Sequence, residues 1–260
     1  MFIHDMDPVA FAIGPVQVRY YGLLFALGFI LGYFIMQRMF RLKGYNTADL
    51  DALLVYMFVG TVIGARLGHC LFYEPDYYLS NPVEILKIYK GGLASHGGAL
   101  GITLAFFIFQ RRHRNYSFLE IADMLMIPIA LVATMIRLGN FFNSEIIGTV
   151  SDGPFAVVFA RLHDNLPRHP VQLYESFTYF MVFIVMCLCY KFYKSRADGF
   201  MLALTMILIF ASRLFLEQFK TEQADYSTEM FLNVGQLLSL PFILAGVILL
   251  VYVQLKHKRS

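Results

Sequence analysis

The chain has 260 residues, of which 58% are hydrophobic and 15% charged, and its mean hydropathy is +0.60. A water-soluble domain of this length carries about 25% charged residues, so a fold bounded by water on every side is excluded and a single membrane-embedded domain is expected. The net charge is only +3, so the placement of the basic residues matters more than their sum.

Apolar runs long enough to cross a bilayer, about 20 residues each, are read in chain order at Tyr20–Met39, Leu50–Phe72, Gly97–Phe109, Phe118–Arg137, Tyr174–Phe192, Phe200–Glu217 and Val234–Val253. The third is short and begins within "SHGGALG" (residues 95–101). The runs are too long and too uniformly apolar for barrel strands. An all-α integral membrane protein with seven transmembrane helices is therefore predicted. The N-terminal "MFIHDMDPVAFAIG" lacks a basic region ahead of its apolar part and does not resemble a cleaved signal peptide. Cys70, Cys187 and Cys189 all lie in apolar runs, which argues for buried thiols rather than a disulfide framework or a zinc site.

Basic residues fix the expected orientation. Arg38, Arg41, Lys43, Arg111, Arg112, Arg114, Lys191, Lys194, Arg196, Lys256, Lys258 and Arg259 fall in alternate connections and at the C-terminus, and account for twelve of the 21 Lys and Arg. The opposite connections hold Arg19, Lys87, Lys90, Arg161, Arg168 and Lys220. The positive-inside rule then puts the C-terminus in the cytoplasm and the N-terminus outside. "SHGGALG", the segment after Arg137 and the run 166–174 share the outer side. The longest extramembrane piece, 139–172, contains "GPFAVVFAR" and is expected to form a short strand pair or a small extracytoplasmic cap.

Charged side chains cost about 2.5–3.5 kcal/mol at a bilayer centre on insertion scales, which singles out Arg66, Arg137, Arg213 and Glu217. Arg213 and Glu217 are spaced i,i+4, so an intrahelical ion pair and a share in an anion site, with Lys220 a turn beyond, are both open readings. The densest polar cluster is "RLGNFFNSEIIG" (137–148). If the helix continues past Arg137, Asn140 shares its face; a polar helix end and a binding site are both compatible with that spacing. In "PRHPVQLYE" (167–175) two prolines bracket His169 ahead of Gln172, Tyr174 and Glu175, although an interfacial Tyr174 fits an aromatic belt without further explanation. His96 precedes two glycines at a helix start, where free amides favour an anion. It can serve as proton acceptor, phosphate partner or simply as a solvated cap. HEXXH, GxSxG, P-loop and CxxC patterns are absent.

Together "PVQVRYYG" (15–22), "SHGGALG" (95–101), "RLGNFFNSEIIG" (137–148), "RHPVQLYE" (168–175) and "VGQLLSLP" (234–241) resemble the prolipoprotein diacylglyceryl transferase family over nearly the whole chain. The resemblance implies transfer of the diacylglyceryl group of phosphatidylglycerol to the lipobox cysteine thiol of a bacterial prolipoprotein, in the bacterial cytoplasmic (inner) membrane, with glycerol phosphate released. It implies catalytic roles for His96, Arg137 and Lys220. Substrate binding falls to Tyr21, Arg66, Gly97, Gly98, Asn140, Asn143, Glu145, Gly148, His169 and Tyr174. Two positions depart from the family's usual pattern: Ile136 stands where Gly commonly precedes the signature arginine, and Lys220 where Arg is common, keeping the charge without the bidentate fork. Phosphatidylglycerol, the prolipoprotein signal peptide and the membrane are the expected partners. No metal or other cofactor and no nucleic acid is required. The rival reading is a seven-helix transporter for an anionic solute lined by Arg66, Arg137 and Arg213, but the repeated broken helices of such folds are not evident. A purely structural membrane protein leaves the polar cluster without a purpose.

Overall fold

The computed structural model describes residues 2–14, 16–88, 92, 94–193, 195–221 and 232–258. Lys90, Lys194 and Arg259, counted above for orientation, and Pro15 of the first motif lie outside them. Eight α-helices are found among the described residues: α1 (Tyr20–Lys43), α2 (Thr47–Phe72), α3 (Pro75–Ser80), α4 (Ser95–Arg112), α5 (Phe118–Phe142), α6 (Val171–Phe192), α7 (Phe200–Leu216) and α8 (Val234–His257). Five short strands accompany them: β1 (Phe2–His4), β2 (Val9–Ile13), β3 (Val16–Arg19), β4 (Val157–Phe159) and β5 (Pro167–Arg168). Six helices are long and apolar enough to cross a membrane: α1, α2, α5, α6, α8, and α7 with the 3-10 turn that continues it to Phe219. The seventh expected span, α4, is an 18-residue helix but lacks that apolarity.

The chain divides into two compact units, Met1–Met36 with Leu119–Ser260, and Gln37–Phe118. In the second, α2 and α4 approach so closely that glycine is required. A Cβ added to Gly64 would lie 2.7 Å from the Gly101 Cα and nearer still to the Gly97 carbonyl oxygen; one added to Gly97 would lie 2.8 Å from the Gly68 Cα. Backbone therefore meets backbone, as in small-residue interfaces of membrane helices. The far end of this pair is tied by Asp49, which accepts from the Tyr116 hydroxyl at 2.5 Å and pairs with His113 Nδ1 at 3.0 Å.

In the first unit the two-stranded β2–β3 hairpin leads into α1, where the Tyr20 amide donates to the Pro8 carbonyl. Helix α7 starts at Gly199 with its orphan amides answered from another helix: the Asp123 carboxylate of α5 accepts from the Gly199 and Leu202 amides at 2.9 and 2.8 Å. Helix α8 opens on a reciprocal capping box between Asn233 and Gln236.

The 139–172 segment supplies β4 and β5, which join β1 in a three-stranded sheet with β4 central. Phe2–His4 pairs parallel to Val157–Phe159, and Val157 and Val158 face Arg168 and Pro167 antiparallel. His4 is buried between the Phe141 and Phe159 rings, at 4.4 and 5.6 Å between centroids. Its imidazole bonds the backbone at Phe141 and Phe142, while Nε2 has no partner among the described residues. Burial pushes its pKa below the ordinary 6.5, so the fold holds His4 neutral. The stability this gives is whole above pH 6.5 and is lost as pH falls through the lowered folded value. Amide protection at residues 2–4, taken relative to the intrinsic exchange rate at each pH, should fall on acidification below pH 6.5 in the native protein and hold in His4→Phe; an equal loss of protection in both would refute the assignment.

Candidate active site

Helix α5 runs on past Arg137 to Phe142, so Asn140 does sit on the Arg137 face, and the guanidinium donates to the Asn140 Oδ1 at 3.4 Å. The chain then reverses sharply. Ser144 and Ile146 take φ of +56° and +55°, unusual for residues with side chains, and the Glu145 amide returns to the Asn140 carbonyl at 3.0 Å. This turn aims the Glu145 carboxylate at two amides, Asn140 Nδ2 at 3.1 Å and Asn143 Nδ2 at 3.0 Å, while Gln172 donates to its carbonyl at 2.6 Å.

Three extended pieces close over the turn. Gly148 donates to the His169 carbonyl and forms an isolated antiparallel bridge with Lys220, and the Thr149 amide donates to the Phe219 carbonyl. A side chain at 148 would stand 2.7 Å from the His169 Cβ, so only glycine lets the pieces meet. His169 reaches Tyr174 through Nδ1 and the phenol at 3.3 Å and packs on the Phe219 ring. Tyr21 lies over Gly139, where an added Cβ would be 2.7 Å from the ring.

At the centre sits Glu175, fully buried. Its Oε2 is 3.0 Å from Arg137 Nε and its Oε1 2.9 Å from Lys220 Nζ. Lys220, itself 9% exposed, also pairs with Glu217 at 2.9 Å, and Arg213 stands 3.9 Å from the same carboxylate. The expected Arg213–Glu217 pair exists but is looser than the pair Glu217 makes with Lys220. Such buried charges survive only when paired, and here Glu175 takes Arg137 and Lys220 while Glu217 takes Lys220 and Arg213.

Tyr21, Arg137, Asn140, Asn143, Glu145, Gly148, His169, Tyr174 and Lys220 thus fall in one unit. Arg66, His96, Gly97 and Gly98 fall in the other. There, His96 is exposed in the first turn of α4, held by the Ala94 amide bonding the Ala65 carbonyl at 2.9 Å. Arg66 is 3% exposed and donates to the carbonyls of Glu84, Ile85, Lys87 and Gly92, with its guanidinium 4.9 Å over the Tyr78 ring. It ties residues 84–87 and Gly92 to α2. Gly97, assigned above to substrate binding, has its Cα packed against α2. Gly98 differs, since an added Cβ would make ordinary contacts with the Ala65 methyl at 3.5 Å and with Thr61 at 3.6 and 3.7 Å. Glu175 stands outside the site residues that the resemblance implies; an ionisable residue one turn inside an apolar helix is the available signal.

A family model described as prolipoprotein diacylglyceryl transferase matches residues 8–252. The chain belongs to the prolipoprotein diacylglyceryl transferase family. Among relatives of this family, the phosphatidylglycerol–prolipoprotein diacylglyceryl transferase of Tolumonas auensis is 52% identical over 96% of both chains. The enzyme of the same name from Chloroherpeton thalassium is 48% identical over 95% of this chain and 92% of its own, and that from Cupriavidus necator 40% identical over 97% and 94%.

Proposed function

We propose that this enzyme transfers the diacylglyceryl group of phosphatidylglycerol to the lipobox cysteine thiol of bacterial prolipoproteins, forming a thioether and releasing glycerol phosphate. The observation that carries the reading of the site is the pairing of two cations, half-buried Arg137 and buried Lys220, across one buried carboxylate. Arg137 and Lys220 grip the phosphate of the lipid, and their hold tightens as negative charge develops on the departing oxygen. Asn140, Asn143 and Glu145 brace Arg137 and shape the turn beside it; Gly148, His169 and Tyr174 wall the pocket, and Tyr21 closes it over Gly139. The thiol, with an ordinary pKa near about 8.5, has to lose its proton to attack carbon, and exposed His96 receives it. Gly98 and Arg66, in the same unit as His96, are assigned to substrate binding with it.

The chain is read as one seven-span domain of the bacterial inner membrane, α4 being the third span, with the N-terminus outside and the C-terminus in the cytoplasm. The sheet of β1, β4 and β5 forms the extracytoplasmic cap. Purified protein incubated with phosphatidylglycerol and a lipobox peptide should yield a peptide heavier by one diacylglyceryl group, stable to hydroxylamine as a thioether is. Anion uptake into vesicles without that product would support the transporter instead.

A further inference from the structure

The carboxylates around Arg137 and Lys220 are held in different ways. Glu145 is anchored by two side-chain amides, and its carbonyl by a third. Glu175 is not anchored: among the described residues neither of its oxygens has a hydrogen-bond partner, and only the two ion pairs, at 3.0 and 2.9 Å, hold it in a site where it has no exposure to solvent. It offers one oxygen to each cation, as a phosphate would. An anion that takes over both cations leaves Glu175 nothing to hold it there.

Charge then separates substrate from product. In the reaction a sulfur–carbon bond forms, the carbon–oxygen bond to phosphate breaks with its electron pair staying on oxygen, and the thiol proton passes through the base to solvent. A phosphodiester with one negative charge enters, and a phosphomonoester leaves. Its second pKa is about 6, so it carries close to two charges at neutral pH. Two bare cations, one of them buried, would therefore bind the product more tightly than the substrate, and release would limit turnover.

We infer that Glu175 is a built-in competitor for the phosphate subsite: it yields Arg137 and Lys220 to the lipid and reclaims them to expel glycerol phosphate. It touches no reacting atom and acts through the two cations as a positioning residue. The inference rests on the reading of Arg137 and Lys220 as the phosphate clamp.

The test uses the full-length enzyme in detergent, with phosphatidylglycerol and a lipobox peptide, and titrates added glycerol phosphate as inhibitor. Glu175→Gln keeps shape and removes charge. Its inhibition constant for glycerol phosphate should fall at least tenfold, kcat should fall, KM for the lipid should not rise, and a first-turnover burst should appear. Glu175→Asp, which keeps the charge on a shorter arm, should show an intermediate inhibition constant, and it carries the test alone if Glu175→Gln does not fold. A lowered kcat with an unchanged inhibition constant in the folded variants overturns the competitor role. Unchanged inhibition in Arg137→Ala overturns the clamp itself, and with it this inference, while leaving the transferase activity standing. A wild-type enzyme that makes no thioether overturns all three.

Discussion

Replacing Gly64 by alanine unseats α4 from α2 and costs several kcal/mol. The added methyl has nowhere to go: its neighbours are the Gly101 Cα at 2.7 Å and the Gly97 carbonyl oxygen, which belong to main chain and cannot rotate aside. Overpacking in side-chain cores typically costs about 1–3 kcal/mol, and a backbone obstacle puts this site at the top of that range or above it. Gly98→Ala is the internal contrast. Its methyl makes an ordinary 3.5 Å contact with Ala65, and alanine is favoured over glycine in a helix by up to about 1 kcal/mol, so this variant should melt no lower than the native protein. Thermal unfolding in detergent checks both. If Gly98→Ala keeps its melting temperature and loses thioether formation, position 98 matters to the ligand; if Gly64→Ala melts normally, the backbone contact is not as close as described.

Arg137→Ala lowers turnover by about two to three orders of magnitude, the loss expected when one preorganised charge donor to a developing anion is removed. The fold should survive, because Glu175 keeps Lys220 at 2.9 Å and the turn after α5 keeps its amide bonds to Glu145. Arg137→Lys should recover part of the activity: the charge returns, but the one side chain can no longer reach both the Glu175 carboxylate and Asn140. Single-turnover rates with a confirmed melting profile measure the effect. A loss below tenfold would remove Arg137 from the clamp.

Much of this architecture can be read in the residues, and the gaps have physical causes. Six helices announce themselves through long apolar runs, and five of them extend about a turn beyond the run at one end, as at Phe142 in α5 and Val171 in α6, while α7 matches its run. Helix α4 is harder to judge, because it packs through Gly97 and Gly101 and so lacks the apolar side chains that mark a span. The same glycines mislead about purpose: bare backbone suits a ligand and a neighbouring helix equally, and only coordinates tell Gly97 from Gly98. Arg137, Asn140 and Glu145 stand out as a local cluster. Glu175 meets them only in three dimensions, from a helix that starts 29 residues after Phe142, and as one acid in an apolar stretch it gives no hint of which cations it joins.

The parallel pairing of residues 2–4 with 157–159 also sets a timetable. As the ribosome delivers the chain, the opening strand has no partner until helices α1 to α5 have been made, and it is then claimed by the stretch that adjoins the charged turn. Assembly of the sheet is thus a late, long-range event, and a bulky tag fused ahead of Phe2 would interfere at that final closure while leaving membrane insertion of the earlier helices intact.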